Sequence, residues 1–334
     1  MVKVGVIGLG FMGNMHSQCY KAISDAKLVA FADIQLNKAQ DFAKKYGGQA
    51  YNSGDELINN PEIDVVDICL PTYLHKEYVL KAAKAKKHIM CEKPIALNVK
   101  DADEMIAACK KSKVKFTIGQ VLRFWPEYMM LKEIFDTKKL GKLKSISCRR
   151  LSAFPVWSWE KWMCDYKKSG GGVTDLHIHD VDFLYYLLGR PKTLHSCGDL
   201  GHIRTTYTFK NGITALSEGG WDMTAKFPFT AEFVANFEKG NMEFSSRLDK
   251  SCTIYTENDV EYPKFEVMQA EDAGGNISVL GGYYNELKYF VDCIEQNKEL
   301  KVVTAQDARN SLEIDMLEIK SAKTDKLIKC VAAK

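Results

Sequence analysis

No run of about 20 apolar residues occurs anywhere in the chain, so no segment has the length to span a bilayer as a helix. Its ten cysteines contain no C-x-x-C pair, which removes both the zinc-knuckle and the thioredoxin-type reading of so many thiols. Neither sign of charge dominates. The 46 Lys and Arg against 43 Asp and Glu leave +3, too little to suggest a nucleic-acid partner or an acidic membrane surface. Internal repeats, low-complexity tracts and a flexible linker are also missing. The first residues run straight into an apolar strand without a signal-peptide pattern, so a cytoplasmic chain is expected. His177 and His179 lie two apart with no second ligand pair nearby, and no metal site is expected.

What is present describes an ordinary globular chain. Its 334 residues, 46% hydrophobic and 27% charged, allow one large or two ordinary domains. Cys69 and Cys91 fall in expected strands, and Cys19, Cys109 and Cys293 in expected helices. They read as free, mostly buried thiols of a reducing compartment. Lys81, Lys84, Lys86 and Lys87 read as solvated helix-face cations.

The first 120 residues alternate short apolar runs with amphipathic stretches. Strands are expected at 2–7, 28–32, 49–51, 64–69, 87–91 and 115–119, and helices at 12–24, 36–46, 75–86 and 99–111. Such alternation builds a parallel sheet covered on both faces, with ligands outside the carboxyl ends of its strands. After about residue 120 the pattern changes. A helix near 125–137 leads to a strand at 143–151, an aromatic stretch at 154–162, and a helical run ending at Gly189 and Pro191. Residues 194–265 alternate β-branched and aromatic residues with turns, and Asn211-Gly212 marks a hairpin. Helices near 281–296 and 304–323 close the chain. The fold class is therefore α/β. A doubly wound parallel Rossmann sheet over residues 1–122 precedes an α+β domain over 123–334 with a large, mostly antiparallel open sheet. The last helices have the option of packing back on the first domain.

Gly8-Leu9-Gly10-Phe11-Met12-Gly13 directly follows the first strand and opens a helix. The first glycine permits a tight turn, the second lets the backbone approach a pyrophosphate, and the third lets helix and sheet pack closely. The helix N-terminus then faces the phosphates. The next apolar run ends in Asp33, placed to accept hydrogen bonds from an adenine-ribose diol and to repel a 2′-phosphate. Ile34 follows with no cation, which favours NAD, while Lys38 one helical turn later keeps NADP open.

Three further clusters sit at strand mouths or a helix start. Leu70-Pro71-Thr72-Tyr73-Leu74-His75 follows the fourth strand and Cys91-Glu92-Lys93-Pro94 the fifth. Gly170-Gly171-Gly172-Val173-Thr174-Asp175-Leu176-His177-Ile178-His179-Asp180 opens the long helix. With the glycine loop, these strongly resemble the Gfo/Idh/MocA oxidoreductases across essentially the whole chain. The resemblance implies a two-domain NAD(P) enzyme acting on a CH–OH group of a sugar, sugar derivative or cyclitol. It maps the catalytic lysine to Lys93, the later aspartate and histidine to Asp175 and His179, and the ribose carboxylate to Asp33. Gly8, Gly10, Phe11, Met12, Gly13, Ile34, Leu70, Pro71, Thr72, His75 and Glu92 would join Asp33 and Lys93 around the cofactor. A cis Lys93-Pro94 bond is implied too, as is a homodimer or homotetramer assembled through the second domain's sheet. In that frame His179 is the general base, Lys93 stabilises the developing alkoxide, and Asp175 binds a neighbouring hydroxyl or orients the imidazole.

Other residues carry two readings. Arg123, Trp162, Asp165 and Tyr283 are candidates for substrate contact, with Lys168 beside Asp165. Trp157, Trp159 and Trp162 suit either sugar stacking or a core, and Tyr283 either the pocket or the core. His177 points about 200° from His179 at helical spacing and reads as structural. Asp180 and Asp182 read as dipole or capping partners of the helix start. His177 is bulkier than the small residue usual in inositol-type relatives, so inositol is not carried over as substrate. Two alternatives to net dehydrogenation stand: transient sugar oxidation on a retained NAD for glycoside cleavage or elimination, and a non-catalytic dinucleotide sensor.

Overall fold

A computed structural model describes residues 1–266 and 280–330. The chain divides into two units. The first is Met1–Trp125 with the described part of Val267–Arg309, and the second is Pro126–Glu266 with the described part of Asn310–Lys334.

In the first unit β1 (Val2–Ile7), β2 (Ala26–Ala32), β3 (Gln49–Tyr51), β4 (Val65–Ile68), β5 (His88–Cys91) and β6 (Phe116–Ile118) form a six-stranded sheet. Its order is β3-β2-β1-β4-β5-β6, and every pairing is parallel. The helices are α1 (Phe11–Ala22), α2 (Leu36–Tyr46), α3 (Gly54–Ile58), α4 (Thr72–Lys84), α5 (Val99–Ser112) and, from late in the chain, α9 (Gly281–Glu295). The expected alternation is present, with α3 as an unforeseen short element. Parallel strands covered on both faces must be apolar along their whole length, as Val4, Val6, Val65, Val66 and Ile89 are, each fully buried. The order reverses between β1 and β4, which places their carboxyl ends at the topological switch point. Lys87 departs from the solvated reading. It is 8% exposed and donates to the Asn60 and Ile63 carbonyls at 2.8 Å each, because it enters β5 rather than ending a helix face.

In the second unit α6 (Pro126–Thr137) leads to β7 (Leu143–Ala153), a helical turn α7 (Tyr166–Ser169) and α8 (Ile178–Leu188). Then come β8 (Thr193–Gly198), β9 (His202–Thr208), β10 (Thr214–Met223), β11 (Thr230–Phe237), β12 (Gly240–Ser245), β13 (Cys252–Thr256) and β14 (Val260–Glu261). The helix α10 (Ala305–Thr324) precedes the last strand, β15 (Ile328–Lys329). These nine strands run β14-β13-β12-β11-β7-β10-β9-β8-β15, antiparallel except for β7 beside β10. The Asn211-Gly212 turn joins β9 to β10, as its composition requires. Period-two alternation divides the sheet faces. One face carries Tyr128, Phe183, Phe233 and Phe244, with Tyr128 edge-on to Phe183 at 4.7 Å and to Phe233 at 5.1 Å. The other exposes Leu216 and Val234 and a cross-strand row of Arg204, Glu218, Arg149 and Glu232.

Among the described residues no helix is long and apolar enough to cross a membrane. All ten cysteines are free, seven of them buried.

Candidate active site

The glycine loop is built as its spacing demands. Gly8 has φ +89°, and a Cβ there would lie 2.5 Å from the Cys69 carbonyl oxygen, so both backbone angle and space require glycine. A Cβ on Gly13 would lie 2.1 Å from the Gly8 oxygen, which is how closely α1 approaches the loop. Gly10 differs: a Cβ there meets nothing within 4 Å. Among the described residues, no contact therefore requires glycine at position 10. The space above it is open, as the close approach of a pyrophosphate would require. Gly10 is the N-cap of α1 without a side-chain cap bond, and no acid lies in the first turn to oppose an anion.

Asp33 leaves the end of β2 beside this loop. Its Oδ2 accepts from the Leu9 N–H and its Oδ1 from the Gln35 N–H, both at 2.9 Å. These two bonds fix the carboxylate against the loop. Ile34 is 72% exposed next to it, an apolar surface suited to the face of an adenine.

At the next two mouths the chain is tied to itself. Leu70 and Pro71 precede α4, whose N-cap is Pro71, and Thr72 opens it. His75 is fully buried, with Nδ1 2.9 Å from the Pro94 oxygen and Nε2 2.8 Å from the Leu70 oxygen. Burial lowers its pKa, and a neutral ring donates to only one of these carbonyls. His75 thus secures the two mouths to each other. The Lys93–Pro94 bond is cis. Lys93 is half-buried at the end of β5, and its backbone N–H donates to Glu92 Oε2 at 3.0 Å.

Behind Lys93 lies a cluster the sequence reading overlooked. His16, fully buried on α1, has Nδ1 2.8 Å from Asp67 Oδ2 and Nε2 3.1 Å from Glu92 Oε1. Burial favours the neutral ring, yet Asp67 beside it, with Cys69, raises its pKa well above the usual value. Burial alone would raise the Glu92 carboxyl, but His16 and then Lys93 hold it below its ordinary range. Asp67 within the buried run Val65-Val66-Asp67-Ile68 was the available signal. A charge in a strand covered on both faces needs a partner.

In the second unit a single π-helical turn, Val173–His177, feeds directly into α8. Such a wide turn shifts the angular register of the helix after it, so Asp175 and His179 are not one α-helical turn apart as their spacing of four suggests. Asp175 is 4% exposed and His179 half-buried. His177 points into the interior, with Nε2 3.1 Å from Glu318 Oε2 on α10, both side chains fully buried. Asp180 and Asp182 correct their capping assignment. Arg150 donates to Asp180 at 2.7 and 3.0 Å in a buried two-point pair, and Ser311 Oγ donates to Asp182 at 2.8 Å.

The remaining candidates each have contacts of their own. Arg123 is 3% exposed and donates to the Val302 carbonyl at 2.7 Å, with Asp307 at 3.5 Å, so it secures a loop of the first unit. Asp165 accepts from the Lys167 N–H at 3.0 Å as the N-cap of α7. Tyr283 is 8% exposed in the core of the first unit, its ring 6.2 Å from that of His16. Trp157 is 69% exposed, Trp159 40%, and Trp162 half-buried, which removes the core reading of the first two.

The turn at Gly8, the open space at Gly10 and the anchored Asp33 together fit a dinucleotide. Comparisons with known proteins agree. Residues 2–120 match the NAD-binding Rossmann fold model of the Gfo/Idh/MocA oxidoreductase family, and residues 128–243 match a C-terminal domain model of that family. The chain is 28% identical over 349 residues to a myo-inositol 2-dehydrogenase of Thermotoga maritima, covering 98% of each. It is 27% identical to an inositol 2-dehydrogenase of Rhizobium meliloti, covering 90% of each. In fold it matches an Agrobacterium radiobacter oxidoreductase solved with NAD+, L-tartaric acid and magnesium. That TM-score is 0.85 at 17% identity, over 98% of each chain. With both halves of the chain matched, this protein belongs to the Gfo/Idh/MocA family and is an NAD-binding dehydrogenase.

Proposed function

We propose that the protein oxidises a secondary hydroxyl of a sugar, sugar derivative or cyclitol. The observation that carries this reading is Lys93 itself, a cation at the mouth of β5 whose backbone is held by Glu92 beside the switch point of the sheet. The relatives named above, dehydrogenases of inositol, support the substrate class.

Bound NAD supplies the hydride acceptor. The chain supplies the rest. Gly8, Gly10 and Gly13 shape the pyrophosphate turn, with Phe11 and Met12 opening the helix beside it. Asp33 takes the ribose diol, Ile34 the adenine face, and Leu70, Pro71 and Thr72 the wall toward β5. His179 takes the hydroxyl proton as general base. The Lys93 ammonium donates to the oxygen as negative charge builds on it. Asp175 binds an adjacent hydroxyl or orients His179. Trp162, on the turn before α7, is offered as a stacking surface for a sugar ring. All these roles are chemical assignments resting on the family pattern.

The open face of the nine-stranded sheet supports assembly with a second copy. Its alternating Arg204, Glu218, Arg149 and Glu232 would be self-complementary across a two-fold axis. Ten free thiols suit a reducing compartment, which supports the cytoplasm.

A panel of sugars, sugar acids and cyclitols, each offered with NAD+ and NADP+, tests the reading by absorbance of reduced nicotinamide. Reduction with at least one polyol, faster with NAD+, is expected. Failure across the panel by protein shown to bind NAD+ would remove it. Product formed in excess of reduced nicotinamide would instead indicate transient oxidation.

A further inference from the structure

Beneath the Lys93 turn runs a chain of buried charges that the proposed chemistry does not use. Asp67 of β4 contacts His16 Nδ1 at 2.8 Å, His16 Nε2 faces Glu92 Oε1 at 3.1 Å, and Glu92 Oε2 accepts the Lys93 amide at 3.0 Å. Gly119, just past β6, closes the other side. A Cβ there would stand 3.2 to 3.4 Å from the Glu92 carboxyl atoms, so the carboxylate has little room to turn. The Cys69 thiol lies 3.4 Å from His16 Nδ1, and the Tyr283 ring from α9 lies alongside. The donor atoms of His16, Asp67 and Cys69 fall within 4.8 Å of one another, but at hydrogen-bonding separations that describe an ion pair rather than an open ligand set.

The chemistry of the ring decides what this chain of charges does. A neutral imidazole carries one N–H and serves one carboxylate, whereas an imidazolium donates from both nitrogens. A flat, rigid cation between two carboxylates fixes their separation. His16 also lies on α1, the helix that begins at the dinucleotide loop, so one side chain joins that loop to the backbone of Lys93.

We propose that His16 is a positioning residue for Lys93: its imidazolium, anchored on Asp67, fixes the Glu92 carboxylate, which fixes the Lys93 amide and so the direction of its ammonium. The inference rests on the dehydrogenase role given to Lys93, and His16 touches neither substrate nor cofactor. A displacement of order 1 Å at a reacting group costs up to about 100-fold in rate.

Two variants test it. His16→Gln keeps a donor to one carboxylate and removes the cation. His16→Gln/Asp67→Asn in addition removes the charge left uncompensated. Hydrogen–deuterium exchange is read across the whole chain and needs no substrate. In both variants exchange should quicken in the peptide spanning residues 90–97 and not across the rest of the parallel sheet. With a substrate from the panel, kcat should fall about 10- to 100-fold while KM for NAD+ stays within about threefold. The double variant should regain the wild-type melting temperature but not kcat. Unchanged exchange over residues 90–97, or recovery of kcat together with melting temperature in the double variant, overturns the proposal. Should the wild-type chain oxidise nothing in the panel, the dehydrogenase reading fails, and the exchange result still decides what His16 holds.

Discussion

Lys93 and His179 are ordinary residue types, and the proposed catalysis rests on where the fold puts them. Lys93 ends a buried strand with its amide held by Glu92, and His179 comes after a π-helical turn that breaks ordinary helical register. Removing either should lower kcat by about 100-fold or more, the usual contribution of a general acid or base. NAD+ affinity, assigned in the proposed function to the glycine loop and Asp33, should change little. Lys93→Ala and His179→Ala, assayed for turnover and for NAD+ binding, check this, and near-normal turnover in both would remove the assignment. At this scale the sequence also misled: Asp180 looked like a cap but neutralises the buried Arg150. A cation's partner far along the chain leaves no local mark.

The opening of α1 separates two demands placed on one motif. Gly13 is required by packing, since any Cβ collides with the Gly8 backbone at 2.1 Å, whereas Gly10 meets nothing. Gly13→Ala should therefore destabilise the fold by about 1–3 kcal/mol or more, the cost of overpacking against backbone that cannot yield. Gly10→Ala should keep its melting temperature and lose NAD+ affinity by an order of magnitude or more. Thermal unfolding and nicotinamide binding measured on the pair check both halves; equal loss of stability would show that the loop has one function, not two. Elements of this kind were readable because their causes are local. The span 36–46 comes from helical spacing and the β9–β10 hairpin from Asn211-Gly212. The short α3 and the π turn were not readable, because five residues give too little periodicity.

For the molecule as a whole, the buried face of α10 is unusual. Ser311, Asp315, Glu318 and Ser321 are all fully buried, where an apolar stripe is the rule. Thr174 Oγ1 donates to Asp315 at 2.8 Å, and Glu318 takes His177 on one oxygen and the Tyr207 hydroxyl on the other. Burial, with Glu318 nearby, pushes the Asp315 carboxyl up to about 7. The folded chain thus holds a proton that the unfolded chain has released above about pH 4, and stability falls as pH climbs from about 4 to 7. His177 is raised too: burial favours its neutral form, but Glu318 outweighs that. Its contribution is complete below pH 6.5 and lost as pH rises through the folded value. Asp315→Asn keeps the shape and removes the titration. Its melting temperature relative to wild type should therefore rise steadily from pH 5 to 7.5, at roughly 2–4 °C per kcal/mol. A pH-independent difference would show that Asp315 is charged in neither state, or in both.

The sequence by itself determined the parallel βαβ order, the mostly antiparallel second sheet, the glycine loop between β1 and α1, and the cofactor class. Each comes from residues within one turn or one strand–helix unit of one another, where spacing and sterics act directly. Only the tertiary structure decided which charges meet. The couplings of His16 to Asp67 and Glu92, His177 to Glu318, and Arg150 to Asp180 join elements 30 to 141 residues apart in the chain. A buried charge is obliged to find an opposite one, but nothing in its immediate sequence says where that one will come from.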